Sequence, residues 1–195
     1  MTALKWSKFM APVALATLLL AAEYAPETKK PGLIGQYWNV GKEMKKFPDE
    51  LVNTEKPQQV RIDGFIDFDA KEGRGFKEER AGETPWSEYF AVVWTGSVRL
   101  PKDGECTFYL ESHDGSKLFI DGKLVVDHDG THALRETASK VVYLFSGDHD
   151  IRVEYFQNKP GRCILSWKLS GREKQVIPST ALWHPHDQEV DRESN

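Results

Sequence analysis

The feature that most constrains this chain is a series of short apolar segments, separated by tight-turn residues, after residue 88. Asp121-Gly122 joins two such segments, and a two-residue Asp-Gly connection is a strong signal for a β-hairpin. Glu105 to Ser112 alternates apolar and polar residues, as a strand with one buried face does. No stretch after residue 88 repeats its apolar residues with a helical period. The pattern predicts an all-β fold, an antiparallel β-sandwich of two sheets packed face to face.

The predicted strands are Gly32–Val40, Val60–Phe68, Tyr89–Leu100, Glu105–Ser112, Ser116–Ile120, Lys123–Asp127, Lys140–Phe145, His149–Phe156 and Arg162–Leu169. The charged, proline-broken stretch between the first two strands has room for one short helix near residues 48–52. Residues 69–87 are rich in Lys, Glu and Gly and predict a long surface loop. Loops of that length usually carry function or are disordered.

The N-terminus predicts export. Lys5 and Lys8 precede an unbroken apolar run from Phe9 to Ala22, a length typical of a signal peptide and short for a membrane span. An uncleaved membrane anchor is the alternative. The resulting division of the chain is a signal peptide (1–22), a linker (23–31), one sandwich domain (32–184) and a polar tail (185–195). The location is then the periplasm, the cell surface or the medium, with no membrane span in the mature chain.

The charge pattern argues against nucleic acid as a partner. The formal net charge is −4, and the charges are interspersed without a basic stripe. Binding to a phosphate backbone requires clustered Lys and Arg. The sequence leaves the oligomeric state open.

Two cysteines, Cys106 and Cys163, lie inside apolar strand patterns. In an oxidising compartment they could form one disulfide. The alternative is two small buried hydrophobic residues that never meet.

Catalytic motifs are absent from the sequence. It contains no G-x-S-x-G, no H-E-x-x-H and no Gly-rich phosphate loop. The His and Asp residues of 127–132 and 148–150 fall at expected turns, so solvated turn chemistry is favoured there over a metal site. The chain is therefore predicted to bind a ligand and not to be an enzyme.

An ordered series of turns, aromatic residues and strand ends identifies a resemblance. It runs through Trp94-Thr95-Gly96, Val98-Arg99-Leu100-Pro101, Gly104-Glu105-Cys106-Thr107-Phe108, Ser112-His113-Asp114-Gly115-Ser116, Leu118-Phe119-Ile120-Asp121-Gly122, Ile151-Arg152-Val153-Glu154-Tyr155-Phe156, Leu165-Ser166-Trp167 and Ile177-Pro178. This series resembles the protective-antigen (PA-fourteen) domain family. The resemblance is close over residues 88–183 and weaker from Gly32-Leu33 to Ile66-Asp67-Phe68.

The resemblance implies a non-catalytic, lectin-like β-sandwich module of exported proteins, many of which bind carbohydrate. In the adhesin branch of that family, two consecutive Asp joined by a cis peptide hold a calcium ion, which holds sugar hydroxyls. An Asn at the end of a later strand, with the loop after it, completes that site.

Carried over to this chain, the paired-Asp motif falls on His113-Asp114 and the Asn falls on Asn158. The resemblance therefore implies ligand binding at His113, Asp114, Asn158 and Lys159, with Asp114 and Asn158 as the calcium ligands if calcium binds. Calcium prefers six to eight oxygen ligands, whereas imidazole suits zinc or copper. His113 therefore weakens the calcium hypothesis, and a calcium-free site at the same loops remains.

Trp86 is the outward candidate for stacking on a sugar ring, with a core or loop-anchoring role as the alternative. The leading hypothesis is an exported domain that recognises a glycan through loops at one end of the sandwich. The second is a structural or protein-interaction domain that docks onto an envelope protein without binding sugar. A cis peptide at residues 113–114, with Asp114 and Asn158 facing one shallow pocket, would favour the first hypothesis.

Overall fold

The structure is a computed structural model that describes residues 29–69, 74–76 and 86–185. The predicted signal peptide, most of the predicted 69–87 loop and the tail from residue 186 lie outside the described residues. None of the helices within these ranges has the length and apolar character that crossing a bilayer demands.

The described residues form fourteen strands and one short α-helix, α1 (Asp49–Thr54). The strands, numbered β1 to β14 in chain order, are Lys29–Pro31, Leu33–Asn39, Gln59–Asp63, Asp67–Asp69, Phe90–Leu100, Gly104–Ser112, Ser116–Ile120, Lys123–His128, Arg135–Ala138, Val142–Leu144, Gly147–Gln157, Arg162–Leu169, Gln175–Val176 and Leu182–Pro185. Sheet A runs β1-β14-β5-β11-β7-β8, with β2 paired to β5 and β3 paired to β2. Sheet B runs β10-β6-β12-β13, with β9 paired to β6 and β4 paired to β12. The predicted antiparallel sandwich and the predicted short helix are both confirmed.

The main core lies between the two sheets and follows the predicted alternation. Along β6, Cys106, Phe108 and Leu110 are fully buried, and the residues between them are not. At the β7–β8 turn, Asp121 and Gly122 have φ angles of 49° and 72°. Positive φ at both central residues defines the type I′ turn that the Asp-Gly pair predicts.

Four strands have no clear signal in the sequence. Both β1 and β9 are built from polar residues, and they form because a neighbouring strand offers unpaired backbone groups. Lys29–Pro31 pairs with Trp183–Pro185, and Arg135–Ala138 pairs with Tyr109–Ser112. The other two unpredicted strands are β13 and β14, and the predicted strand at 60–68 is divided into β3 and β4.

A second, smaller core covers the outer face of sheet A. The segment from Val40 to α1 folds over this face, and Met44 and Phe47 pack there against Trp38 and Phe156. Both faces of the end of β11 are consequently covered, so Val153–Gln157 is buried without alternation.

Candidate functional site

Two loops that pass from one sheet to the other lie side by side at one end of the sandwich. Residues 113–115 connect β6 to β7, and residues 158–161 connect β11 to β12. The loops are neighbours because β6 pairs with β12 in sheet B and β7 pairs with β11 in sheet A. The peptide bond between His113 and Asp114 is cis, as the resemblance implies.

A buried carboxylate joins the two loops. Asp114 is 1% exposed, and its Oδ2 accepts a hydrogen bond of 2.9 Å from the backbone N–H of Asn158. Burying a carboxylate is costly unless hydrogen bonds compensate, so this bond holds the second loop against the first.

The side chain of Asn158 is bound to a third segment. Its Oδ1 accepts a 2.7 Å hydrogen bond from the Met44 N–H, and its Nδ2 donates one of 2.8 Å to the Met44 carbonyl. Thr131 Oγ1 donates to the same carbonyl at 2.8 Å. Asn158 is 4% exposed, so its amide faces the Val40–α1 segment and not solvent.

Neighbouring contacts hold that segment in place. Phe47 N–H donates to Asp129 Oδ1 at 2.9 Å, and Gly130 N–H donates to the same oxygen at 2.8 Å. Gly115 lies beneath them, and a Cβ there would come within 2.4 Å of the Phe156 ring. The sequence gives no signal for the contribution of Met44 to this site. Asp129 is visible in the sequence only as a turn residue.

His113 is held by its backbone and exposes part of its ring. Its N–H donates to the Arg162 carbonyl at 2.9 Å, and its carbonyl accepts from the Tyr155 hydroxyl at 2.6 Å. Burial raises the pKa of Tyr155 well above its ordinary value, so this hydroxyl remains a donor. A Cβ at Gly161 would lie 2.9 Å from the His113 carbonyl oxygen, so the second loop packs tightly on the first.

The exposed hydrogen-bonding side chains of the two loops are those of His113 and Lys159, and Pro160 between Lys159 and Gly161 is exposed as well. The His113 side chain is 29% exposed, and Lys159 is exposed at the start of the second loop. His113 Nδ1 lies 3.6 Å from Asp114 Oδ2 and has no hydrogen-bond partner among the described residues.

Trp86 lies at the same end of the sandwich and is half-buried. Its indole N–H donates to Gln59 Oε1, and its ring packs on Tyr37 and Phe90 at centroid distances of 5.5 and 5.7 Å. The following residue, Ser87, accepts a hydrogen bond from Gln157 Nε2 through its carbonyl. These contacts anchor the end of the 69–87 stretch to the main core.

The donor set at the two loops does not fit calcium. Asp114 brings one carboxylate, and its Oδ2 is already bonded to the Asn158 N–H. The amide oxygen of Asn158 accepts the Met44 N–H. A calcium ion needs six to eight oxygen atoms, and these contacts occupy oxygens that it would use. Within the described ranges, no group of three or more His, Cys, Asp and Glu is arranged to hold a metal.

The His and Asp residues of 127–132 make turn and strand contacts. His128 is buried, its Nδ1 lies 2.6 Å from Thr137 Oγ1, and burial lowers its pKa. Asp129 N–H donates to Asp127 Oδ1 within the turn. His132 lies against His128 with ring centroids 4.1 Å apart.

Both cysteines are free and buried in sheet B. Burial raises the pKa of Cys106 to about 12 and raises that of Cys163 as well. Because the thiolate is the reactive form, both thiols are poor nucleophiles at neutral pH.

Comparison with known proteins identifies the family to which this chain belongs. The family model of the PA14 domain matches residues 29–181. This chain belongs to the PA14 domain family. The PA14 match begins at β1 and ends at the short 3-10 helix Ser179–Ala181, so it covers every strand except β14.

Three proteins place this PA14 domain among its relatives. The anti-sigma-I factor RsgI3 of Acetivibrio thermocellus is 33% identical over 154 residues, which are 78% of this chain. The chain spans only 21% of the length of that relative. The solved PA14 domain of the antifreeze protein MpAFP has a TM-score of 0.68 at 18% identity, covering 82% of this chain and 94% of its own. A PA14 sugar-binding domain from an RTX adhesin has a TM-score of 0.65 at 17% identity, covering 79% and 98%. At these identities the two solved structures show the fold alone.

Proposed function

We propose that this PA14 domain is an exported, non-catalytic module that recognises a carbohydrate through the 113–115 and 158–161 loops, without calcium. The observation that carries the proposal is the bond between Asp114 and the backbone of Asn158. It fixes two loops whose outer edge presents His113 and Lys159. Export rests on the signal-peptide pattern at residues 1–22.

The four residues have two different roles in this proposal. Asp114 and Asn158 are buried and position the loops, whereas His113 and Lys159 contact the ligand. Because Nδ1 of His113 is buried beside Asp114, the imidazole offers its other ring nitrogen to a ligand, and the Lys159 ammonium offers three donors. Sugar hydroxyls both donate and accept, so this pair can bind them directly, with no bridging ion.

Two further points support a sugar as the ligand. The RTX adhesin domain with the same fold is described as sugar-binding, and Asp114 and Asn158 stand at the positions of its family's binding motif. The calcium that the resemblance implies is replaced in our proposal by protein contacts, because Met44 takes the hydrogen bonds of the Asn158 amide.

A glycan array followed by calorimetry tests the proposal. We expect His113→Ala and Lys159→Ala each to lower glycan affinity about tenfold or more, and a chelator to change nothing. Lys123→Ala is the matched control, because Lys123 is an exposed lysine on β8, away from the loops. Absence of binding to every glycan would refute carbohydrate recognition. Binding that is abolished by the chelator would refute the calcium-free site.

A protein partner is the second candidate function. It is favoured by the burial of the Asn158 side chain, whose amide is bonded to Met44, and by the anti-sigma factor among the relatives. A pull-down from envelope extract tests it. Recovery of one protein, undisturbed by free sugars and lost in Lys159→Ala, would favour this function over the first.

A further inference from the structure

Sheet B carries a column of exposed apolar side chains at its β10 edge. Val141, Tyr143 and Phe145 are 60%, 62% and 68% exposed, whereas the intervening Val142 and Leu144 pack against the main core. Alternate residues of an extended segment share one face, so the three exposed side chains project from the outer face of the sandwich. We call this column the β10 stripe.

The two aromatic rings of the β10 stripe form a corner. The ring centroids of Tyr143 and Phe145 are 5.8 Å apart, and the ring planes meet at 83°. A sugar ring can therefore lay its apolar C–H face on one ring while the other ring bounds its side. The separation is about the length of one sugar residue.

Polar side chains lie beside the stripe on the same outer face. The strand register sets Glu105 of β6 opposite Tyr143, and Lys168 of β12 opposite Thr107 of β6. Neighbouring strands are about 5 Å apart, so these groups lie within reach of a ligand that rests on the stripe. They offer hydroxyl, carboxylate and ammonium groups to ligand hydroxyls.

We propose that the β10 stripe is a second carbohydrate-binding surface, which takes a neutral polysaccharide chain. This inference rests on the proposed function for the class of ligand, but not for the site. The exposed charges beside the stripe have both signs: Glu105 and Asp103, which accepts the Ser146 N–H, are acidic, and Lys168 and Lys140, which precedes Val141, are basic. That balance suits an uncharged polymer, whereas anionic lipid surfaces and nucleic acids are bound by clustered Lys and Arg.

The stripe is less suited to binding a second copy of the chain. The three side chains expose roughly 350 Å² in total, with an aromatic side chain contributing about 150–250 Å² when fully exposed. A specific protein interface buries about 800 Å² on each partner. In addition, β10 has only three residues, which limits pairing between sheet edges.

The stripe and the paired loops are far apart. Phe145 is two residues before the start of β11, and Asn158 directly follows its end. Eleven residues of extended strand span roughly 35 Å. Variants at one surface should therefore leave the other unchanged.

Affinity electrophoresis in gels that contain xyloglucan, galactomannan or mixed-linkage β-glucan tests the inference on the purified chain. We expect the Tyr143→Ala/Phe145→Ala double variant to lose at least about tenfold in affinity for at least one polymer. Tyr143→Phe should retain most of the binding, because the ring remains. Leu124→Ala is the matched control, since Leu124 is an exposed apolar residue on an edge strand of sheet A, the sheet that does not carry the stripe.

The outcomes separate the two surfaces. Loss of polymer binding in the double variant with no effect of Lys159→Ala supports the stripe, whereas the glycan array with Lys159→Ala decides the loop site separately. Loss in Lys159→Ala with no effect of the folded double variant overturns the stripe, as does absence of polymer binding by the unmodified chain. A dimer in sedimentation that the double variant abolishes, or binding to anionic vesicles that it abolishes, also overturns the polysaccharide assignment.

Discussion

The two ends of β11 differ in the polar contacts they make, which are buried at one end and open to solvent at the other. At the Asn158 end, a carboxylate and an amide are buried and bonded to backbone groups. At the Gly147 end, Asp148 pairs with the exposed Arg99 in a bidentate contact, and His149 pairs with Asp121. Water competes for the second set but not for the first. Polar groups at the closed end should therefore contribute more to stability, and those at the open end should contribute to its pH dependence.

The largest expected effect is at the amide of the closed end. Asn158→Ala leaves the Met44 N–H buried without its partner and removes one bond from the Met44 carbonyl. We expect the free energy of unfolding to fall by about 2–3 kcal/mol in urea denaturation. Lys159→Ala, an exposed neighbour, should stay within about 0.5 kcal/mol of the unmodified protein. Equal free energies of unfolding for the two variants would contradict the predicted role of the buried amide.

Substitutions of Asp114, the carboxylate of the closed end, should lower the stability by different amounts. Asp114→Asn keeps an oxygen that can accept the Asn158 N–H, whereas Asp114→Ala does not. We expect a loss of about 1 kcal/mol for Asn and about 2 kcal/mol for Ala. Chemical denaturation of the pair measures the order, and an Asn variant that is the less stable of the two would refute this role for the Asp114 oxygen.

His149 should give the open end a dependence on pH near neutrality. Burial lowers its pKa, but hydrogen bonds to the Phe145 carbonyl and the Asp121 carboxylate raise it more, so the net pKa lies above the ordinary value. The stabilisation is therefore complete below about pH 6.5 and is lost as the pH rises through the folded pKa. The free energy of unfolding, measured from pH 5.5 to 8.5, should be higher for the unmodified protein than for His149→Gln at low pH. This difference should shrink as the pH rises. A pH-independent difference between the two would count against the pairing.

The smallest effect is expected at Asp148. The hydrogen bond from Arg99 holds the pKa of Asp148 to about 2, with a further contribution from Lys29. Because this pKa is lowered, the stabilisation is present above about pH 4 and is lost as the pH falls towards 2. In an NMR titration, Arg99→Ala should raise the pKa of Asp148 towards its ordinary value, and Lys29→Ala should raise it less. Stability near pH 7 should change little for Arg99→Ala.

The sequence predicts the fold well because local signals agree with one another. Glu105–Ser112 shows the alternation of a half-buried strand. Asp121-Gly122 is a favoured turn pair, and it joins β7 to β8. The signal fails where a strand forms for a different reason. Lys29–Pro31 and Arg135–Ala138 have no apolar pattern, and they are strands only because another strand supplies partners.

The candidate site is only partly readable from the sequence. His113, Asp114, Asn158 and Lys159 could be named from the family motif, and the structure brings them together on adjacent loops. Their division into buried and exposed members could not be predicted. Position in a motif does not indicate which side chain is covered by another segment.

The sequence by itself determined the all-β class, the main strands and the loops to inspect, because apolar period and turn chemistry act over a few residues. Only the tertiary structure decided that Met44, 114 residues from Asn158, takes the hydrogen bonds of its amide. Those bonds use the N–H and C=O of the main chain, which nearly every residue carries, so no residue type could indicate them. The same holds for the β10 stripe, whose exposure follows from its position at the edge of sheet B and not from its composition.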